Sequence, residues 1–317
     1  MMLHQTSDST KHIEDISLLK CVMIILVVAF HLVYIGDSFP YAKRFVYAFH
    51  MPVFLMLSGY FMKPDEQVSK FGRRVLFYAI PYFVMEAGYV IMASLLPIRE
   101  HIDGLSIPLF LDKLLLHPLG PYWYLHTLVL CSVASFSVLH AKQLGAYGRI
   151  VALGIVLCLF SRSGVVSFSM ACYYLMGVII RYSRTDILKL FRPSVLSVFA
   201  LLLLALYPGN LESDSIGALL IVCMSVSSCL TVFPYIKGKM RRCMLFLGRN
   251  TLPIYLFSPL FTILCKGLVH PLAFDPSRML FLAVSLVVCI SGSLAISLAM
   301  DKCGVSKLFF GRDRSLR

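Results

Sequence analysis

Lys20 and His31 are the two residues whose types and spacing most suggest chemistry, and eleven positions separate them. At about 100° per residue, eleven steps are three turns plus roughly 20°, so on a helix both side chains lie on one face about 16 Å apart along the axis. The residues between them, Cys21 to Phe30, are apolar. The pattern sets a basic group at a membrane surface and a titratable imidazole within the span. An ionisable residue inside a span is costly and usually faces a bundle interior or a water-filled cavity, where it marks a functional path. The alternative is a histidine satisfied by a neighbouring helix.

Four further constellations carry candidate chemistry. The run Phe49-His50-Met51-Pro52 leads to Ser58-Gly59-Tyr60, with Pro52 suited to a first helical turn and Ser58 and Gly59 suited to close packing. It places His50 at the mouth of a second span. Lys70 and Arg73 are i, i+3 neighbours, so on a helix they present two cations to one anion, with Arg74 beside them. The other reading of these three is an ordinary topological anchor. Glu86 is an intramembrane carboxylate that needs a cationic or hydrogen-bonding partner, for which Lys20 and His31 are the candidates. In Gly120-Pro121-Tyr122-Trp123-Tyr124-Leu125-His126, the aromatic residues suit an interfacial belt or a platform for a sugar ring with His126 one turn below.

The elements that must position these residues are membrane helices. The chain is 59% hydrophobic and 14% charged, against about 25% charged in soluble proteins, and its mean hydropathy is +0.82. This predicts an all-α integral membrane protein. The net charge of +13 sits in clusters between apolar runs and not along one polar face, which argues against nucleic acid as a partner. The ten cysteines show no CxxC spacing and read as small buried hydrophobes, so neither disulfides nor a metal site is expected.

Apolar runs bounded by charge, proline or glycine predict a polytopic bundle of about ten transmembrane helices: 16–36, 45–62, 75–96, 122–140, 149–160, 165–180, 194–207, 215–235, 251–269 and 279–300. The domain plan is a cytoplasmic segment 1–15, a transmembrane domain 16–300 and a cytoplasmic tail 301–317. The first run is too long for a signal-peptide core and lacks a small-residue cleavage site, so it is expected to be retained. With the amino terminus inside, 22 of the 29 basic residues fall on cytoplasmic segments, which favours an even number of spans and two cytoplasmic termini. The long outer loop 97–121 is expected to lie as an amphipathic segment on the membrane surface.

Taken in chain order, the motifs resemble membrane acyltransferase family 3, the bacterial O-acyltransferases of cell-surface glycans, and within it the branch similar to fucose 4-O-acetylases. Lys20 and His31 match that family's basic residue, ten residues, then histidine. Residues 49–61 are similar to its Phe-His-Met-Pro-Leu-Phe-Phe-x-Leu-Ser-Gly motif. Lys70 and Arg73 stand for its Arg-x-x-Arg, followed by Pro81-Tyr82. Trp123-Tyr124-Leu125, Tyr173-Tyr174-Leu175-Met176-Gly177 and Leu247 to Leu256 resemble its later motifs. Ser17 and Ser258 depart from it, standing where many members have aspartate and histidine.

The resemblance implies an acyltransferase that takes an acyl group, acetyl above all, from acyl-CoA to a hydroxyl of a cell-surface or lipid-linked glycan. It implies a multi-pass enzyme of the bacterial inner membrane with no permanently bound cofactor. His31 is then the general base, since an imidazole of ordinary pKa near 6.5 can accept a hydroxyl proton in the transition state, with an acyl-histidine as the alternative. Lys20 completes the catalytic pair or holds donor phosphates, and Lys70, Arg73 and Arg74 attract anionic CoA. His50, Glu86, Trp123, His126 and Tyr255 are candidates for substrate contact or support. Two rivals remain: a lipid-linked glycan flippase using the buried histidine and glutamate as a proton path, and a glycan polymerase dependent on Arg99 or His101.

Overall fold

The computed structural model describes residues 2–96, 100–141 and 143–316, and for 2–11 the backbone helix alone. The helices in chain order are α1 (Met2–His31), α2 (Val33–Ser38), α3 (Pro40–Tyr47), α4 (His50–Tyr60), α5 (Val68–Leu95), α6 (Ile107–Leu115), α7 (Trp123–Leu139), α8 (Ala146–Arg162), α9 (Phe168–Tyr182), α10 (Ile187–Leu190), α11 (Val195–Leu206), α12 (Ile216–Val232), α13 (Gly238–Arg249), α14 (Thr251–Leu264), α15 (Met279–Lys302) and α16 (Val305–Phe310). There is no strand among the described residues. The protein is all-α and polytopic.

Each of the ten apolar runs is met by a helix, but their lengths differ. Val68–Leu95, Ile107–Leu139, Ile216–Tyr235, Thr251–Leu268 and Met279–Lys302 are long and apolar enough to cross a membrane. The apolar helices Phe168–Tyr182 and Val195–Leu206 are shorter. At 1.5 Å per residue, α11 extends only about 18 Å against a hydrocarbon core of about 30 Å. The fifth run is longer than its apolar core suggests, since α8 extends to 17 residues.

The largest departure from expectation is in the first run, predicted unbroken to residue 36. Helix α1 ends at His31, and Leu32 leaves the helix with ψ 104° before α2 begins. Next, Phe39 adopts φ −127°, ψ 62° ahead of Pro40, as expected where a proline ring disfavours the helical conformation of its predecessor. Pro40, whose missing N–H costs nothing in a first turn, opens α3. The second run is divided as well, its first residues closing α3 at Tyr47 and the rest beginning α4 at His50.

The chain forms two compact units, Met1–Phe54 with Asp186–Cys303 and Arg314–Arg317, and Leu55–Thr185 with Gly304–Asp313. In the first, α1 packs on α12, α13, α14 and α15, burying Leu18, Leu19, Cys21, Met23 and Val28. Gly248 lets α13 meet α1 directly: a Cβ there would stand 1.8 Å from the Ser17 carbonyl oxygen, so any side chain would force the helices apart. Arg241 of α13 pairs with Glu14 at 2.8 Å.

In the second unit, α5 packs on α6 and α7, α7 on α8 and α9, and α16 on α5. Two glycines make one crossing of α4 and α9. A Cβ at Gly59 would lie 2.1 Å from the Tyr174 carbonyl oxygen, and one at Gly177 would lie 2.0 Å from that of Met56. Helices that associate in lipid rely on such small residues for backbone approach. The Ser58-Gly59 and Tyr173-to-Gly177 motifs are therefore two halves of one contact. Phe71 and Phe136 stack at 3.8 Å between α5 and α7, and Phe310 buries α16.

Candidate active site

In the first unit the site is built where α1 stops. Lys20 and His31 do share one uninterrupted helix, and Lys20 is half-buried one turn beyond the Ser17 contact with α13. His31, half-exposed as the last residue of α1, brings Nδ1 to 2.7 Å from the Val27 carbonyl oxygen. A carbonyl can only accept, so Nδ1 carries the hydrogen and the lone pair of the neutral ring resides on Nε2. The backbone of α1 thus selects the tautomer that can act as a base at Nε2.

His50 repeats this arrangement at the start of α4, donating from Nδ1 to the Val46 carbonyl at 2.7 Å. Tyr47 lies between the two imidazoles, with ring centroids 6.0 Å from His31 and 5.1 Å from His50. The Tyr47 hydroxyl donates to the Phe30 carbonyl at 3.3 Å. The difference between the histidines is access, since His50 is only 2% exposed. His31 is the more exposed of the two imidazoles, and His50 is buried beside Tyr47.

Tyr47 and Lys43 were absent from the expected set. Lys43 places its ammonium 5.7 Å above the Tyr47 ring centroid. The signal was present as Lys43 and Tyr47 at i and i+4, neighbours on one helix face, although it becomes visible only once α3 is known to span Pro40–Tyr47. Tyr255 is buried on α14, a helix that packs against α1.

The second unit holds the other candidates, and they divide sharply. Lys70 and Arg73 are exposed on the first turns of α5, with Arg73 Nε 3.5 Å from the Ser69 carbonyl. Neither is ion-paired among the described residues. Arg74 is differently placed: Glu66 takes it at 2.7 Å and its guanidinium lies 5.5 Å from the Phe71 ring centroid. Lys70 and Arg73 are therefore the exposed pair of the three, with Arg74 ion-paired to Glu66.

Glu86 is fully buried and accepts the Leu119 backbone N–H at 2.5 Å through Oε1. This corrects the expectation that Lys20 or His31 is its partner. A buried carboxylate needs donors, and here a backbone amide supplies one to Oε1, while Oε2 is buried without a hydrogen-bond partner among the described residues. His126 is also buried, and its Nε2 donates to the Leu115 carbonyl at 2.9 Å. Tyr82 donates to the Leu114 carbonyl at 2.8 Å. These three side chains hold the end of α6 and the segment that follows it. Trp123 remains half-buried at the start of α7, edge-on to Tyr124 with centroids 6.5 Å apart. Tyr124 in turn bonds Ser58 Oγ at 3.1 Å.

In the outer-loop alternative, His101 pairs with Asp103 at 3.3 Å, and Arg99 lies outside the described residues. Among the described residues no group of three His, Cys, Asp or Glu side chains could hold a metal ion.

An imidazole with its lone pair on Nε2, on the same helix as Lys20, with two exposed cations elsewhere in the chain, is compatible with acyl transfer, and comparison with known proteins points the same way. The family described as an acyltransferase domain, acyltransferase family 3, matches residues 13–298. No curated protein and no solved structure matches the chain. The matched region covers both units and every candidate residue named above, so the chain belongs to acyltransferase family 3 and is a transferase of acyl groups other than aminoacyl groups.

Proposed function

We propose that this protein moves an acyl group, acetyl above all, from acyl-CoA to a hydroxyl of a cell-surface or lipid-linked glycan, with His31 as general base. In this reading the enzyme sits in the bacterial inner membrane with both termini in the cytoplasm, consistent with the 22 to 7 distribution of its basic residues. The observation that carries the reading is the Nδ1 hydrogen bond of His31 to Val27, which leaves Nε2 basic on a half-exposed ring.

The chemistry balances without a further co-reactant. Nε2 takes the proton of the acceptor hydroxyl as its oxygen attacks the thioester carbonyl. An O–C bond forms, the C–S bond breaks, and the proton passes from Nε2 to the departing thiolate, giving an O-acyl ester and free CoA. Lys20 lies on the same helix face as His31 and completes the catalytic pair, while Lys70 and Arg73 offer paired charge that attracts anionic acyl-CoA. Family membership favours this reading over the flippase and the polymerase.

Mass spectrometry of surface glycans from cells with and without the protein tests it. The expected result is an O-acyl mass increment, 42 Da for acetyl by roughly the gain of C2H2O, present only with the protein. Identical glycan masses in both strains would contradict the glycan acceptor.

A further inference from the structure

Lys43 packs on the ring of Tyr47, whose centroid is 6.0 Å from that of His31. The helix that carries it, α3, is tethered. Arg44 pairs with Glu212 at 2.7 Å, and the Tyr41 hydroxyl donates to the Ala205 carbonyl, so α3 is fixed on both sides of Lys43. The Lys43 side chain lies across Gly36, where an added Cβ would stand 3.1 Å from Cδ, 3.2 Å from Nζ and 3.2 Å from the Phe30 carbonyl oxygen. The ammonium is therefore held beside the backbone that leads into His31. Its one charged-ring contact is the Tyr47 face at 5.7 Å.

The neighbouring cation already has a carboxylate, but Lys43 has none within ion-pair distance among the described residues. A half-buried ammonium packed on an aromatic ring is stabilised by that ring's negative face, though only in part. Its positive charge stands against the face of the tyrosine that neighbours His31. A neutral sugar hydroxyl has no use for such a charge, whereas an acceptor with an anion close to its reacting hydroxyl does.

We propose that Lys43 is an acceptor-recognition residue: its ammonium binds an anionic group, a phosphate or a sugar carboxylate, carried close to the hydroxyl that His31 deprotonates. The inference rests on the assignment of His31 as base and adds the substrate class, an anionic glycan. It makes Lys43 a specificity residue, with no part in proton transfer.

The test is calorimetric binding of glucose, glucuronic acid and glucose 1-phosphate to the full-length protein in detergent, for wild type, Lys43→Gln and Lys43→Arg. Wild type is expected to bind at least one anionic sugar better than glucose. Lys43→Gln should weaken that binding about tenfold, the scale of one charge-assisted contact, while glucose is unaffected and Lys43→Arg restores most of the affinity. Preference for glucuronic acid assigns a carboxylate acceptor, and preference for glucose 1-phosphate assigns the phosphate of a lipid-linked one. Identical behaviour of wild type and Lys43→Gln toward all three sugars, absence of binding included, overturns the proposal. His31→Ala should keep the anion affinity and lose transfer, so the base assignment and the Lys43 assignment fail separately.

Discussion

Both compact units place a histidine and other polar side chains in apolar helices, yet they use them differently. In the first unit, His31 spends Nδ1 on its own helix and leaves Nε2 basic on a half-exposed ring. In the second, Glu86 and His126 are buried, and both reach across sequence to backbone groups of Leu119 and Leu115. A carbonyl one turn back along the same helix orients a ring from within its own helix. A hydrogen bond to a distant loop instead makes the side chain part of the scaffold. Cost of burial alone therefore does not identify a catalytic group; the destination of its hydrogen bonds and its access do.

That contrast can be broken most forcefully at Glu86. Glu86→Ala leaves the Leu119 N–H buried without its acceptor, and such orphaned donors cost about 1–3 kcal/mol. The expected outcome is a lowered thermal unfolding midpoint in detergent, with much of the loss recovered by Glu86→Gln, which keeps an acceptor oxygen. Glu86→Gln should also transfer acyl groups within a few-fold of wild type. If Glu86→Gln were fully folded but inactive, the carboxylate would belong to the chemistry and the contrast would collapse.

The exposed cations sharpen the same distinction at smaller amplitude. Replacing Lys70 and Arg73 together by glutamine should raise the KM for acyl-CoA about tenfold at low salt and less at high salt, because exposed charges are screened. Arg74→Gln, which removes the partner of Glu66, should act on stability and leave that KM unchanged. Equal KM values for wild type and the double variant at both salt levels would reduce Lys70 and Arg73 to a topological anchor.

The smallest effect is expected at Asp275, in the turn before α15. Its carboxylate accepts from Ser277 Oγ at 2.6 Å and from the backbone N–H of Leu280 at 2.8 Å, and the Ser277 hydrogen bond leads in holding its pKa below the usual aspartate value. A depressed folded-state pKa adds stability above the unfolded value, which is lost as pH falls through the folded one. Wild type should therefore be slightly more stable than Asp275→Asn at pH 6, and the two should converge below about pH 4. A constant difference across that range would show that the carboxylate charge is irrelevant there.

The features of the candidate site and of its packing that were legible have local signals. Lys20 and His31 announce themselves by helical spacing, and Ser58-Gly59 and Gly177 by small side chains that the α4 and α9 crossing requires. What was not legible is set by tertiary context. Nothing at Leu32 breaks a helix intrinsically, since it is neither proline nor glycine, so the end of α1 at His31 left no mark. Glu86 asked for a partner, and the partner is a backbone amide, which every residue but proline carries and which no side-chain pattern can flag. The amphipathic character of the outer loop was readable and appears as α6, whose first turn Ser106 caps. The basic loop after α12 reads as a topological charge cluster, whereas it folds as α13 with Arg241 taken by Glu14.

The central claim is that His31 supplies a basic Nε2, and chemical rescue tests it most directly. Acyl transfer from acyl-CoA is measured in purified protein for His31→Ala and His126→Ala, each with and without added imidazole. The account predicts that His31→Ala loses about 10² to 10⁴-fold in rate, the range for a general base, with an unchanged unfolding midpoint, and that imidazole restores part of the loss. It predicts that imidazole does nothing for His126→Ala, whose defect is in stability. A His31→Ala protein that transfers acyl groups at the wild-type rate without imidazole would contradict the account.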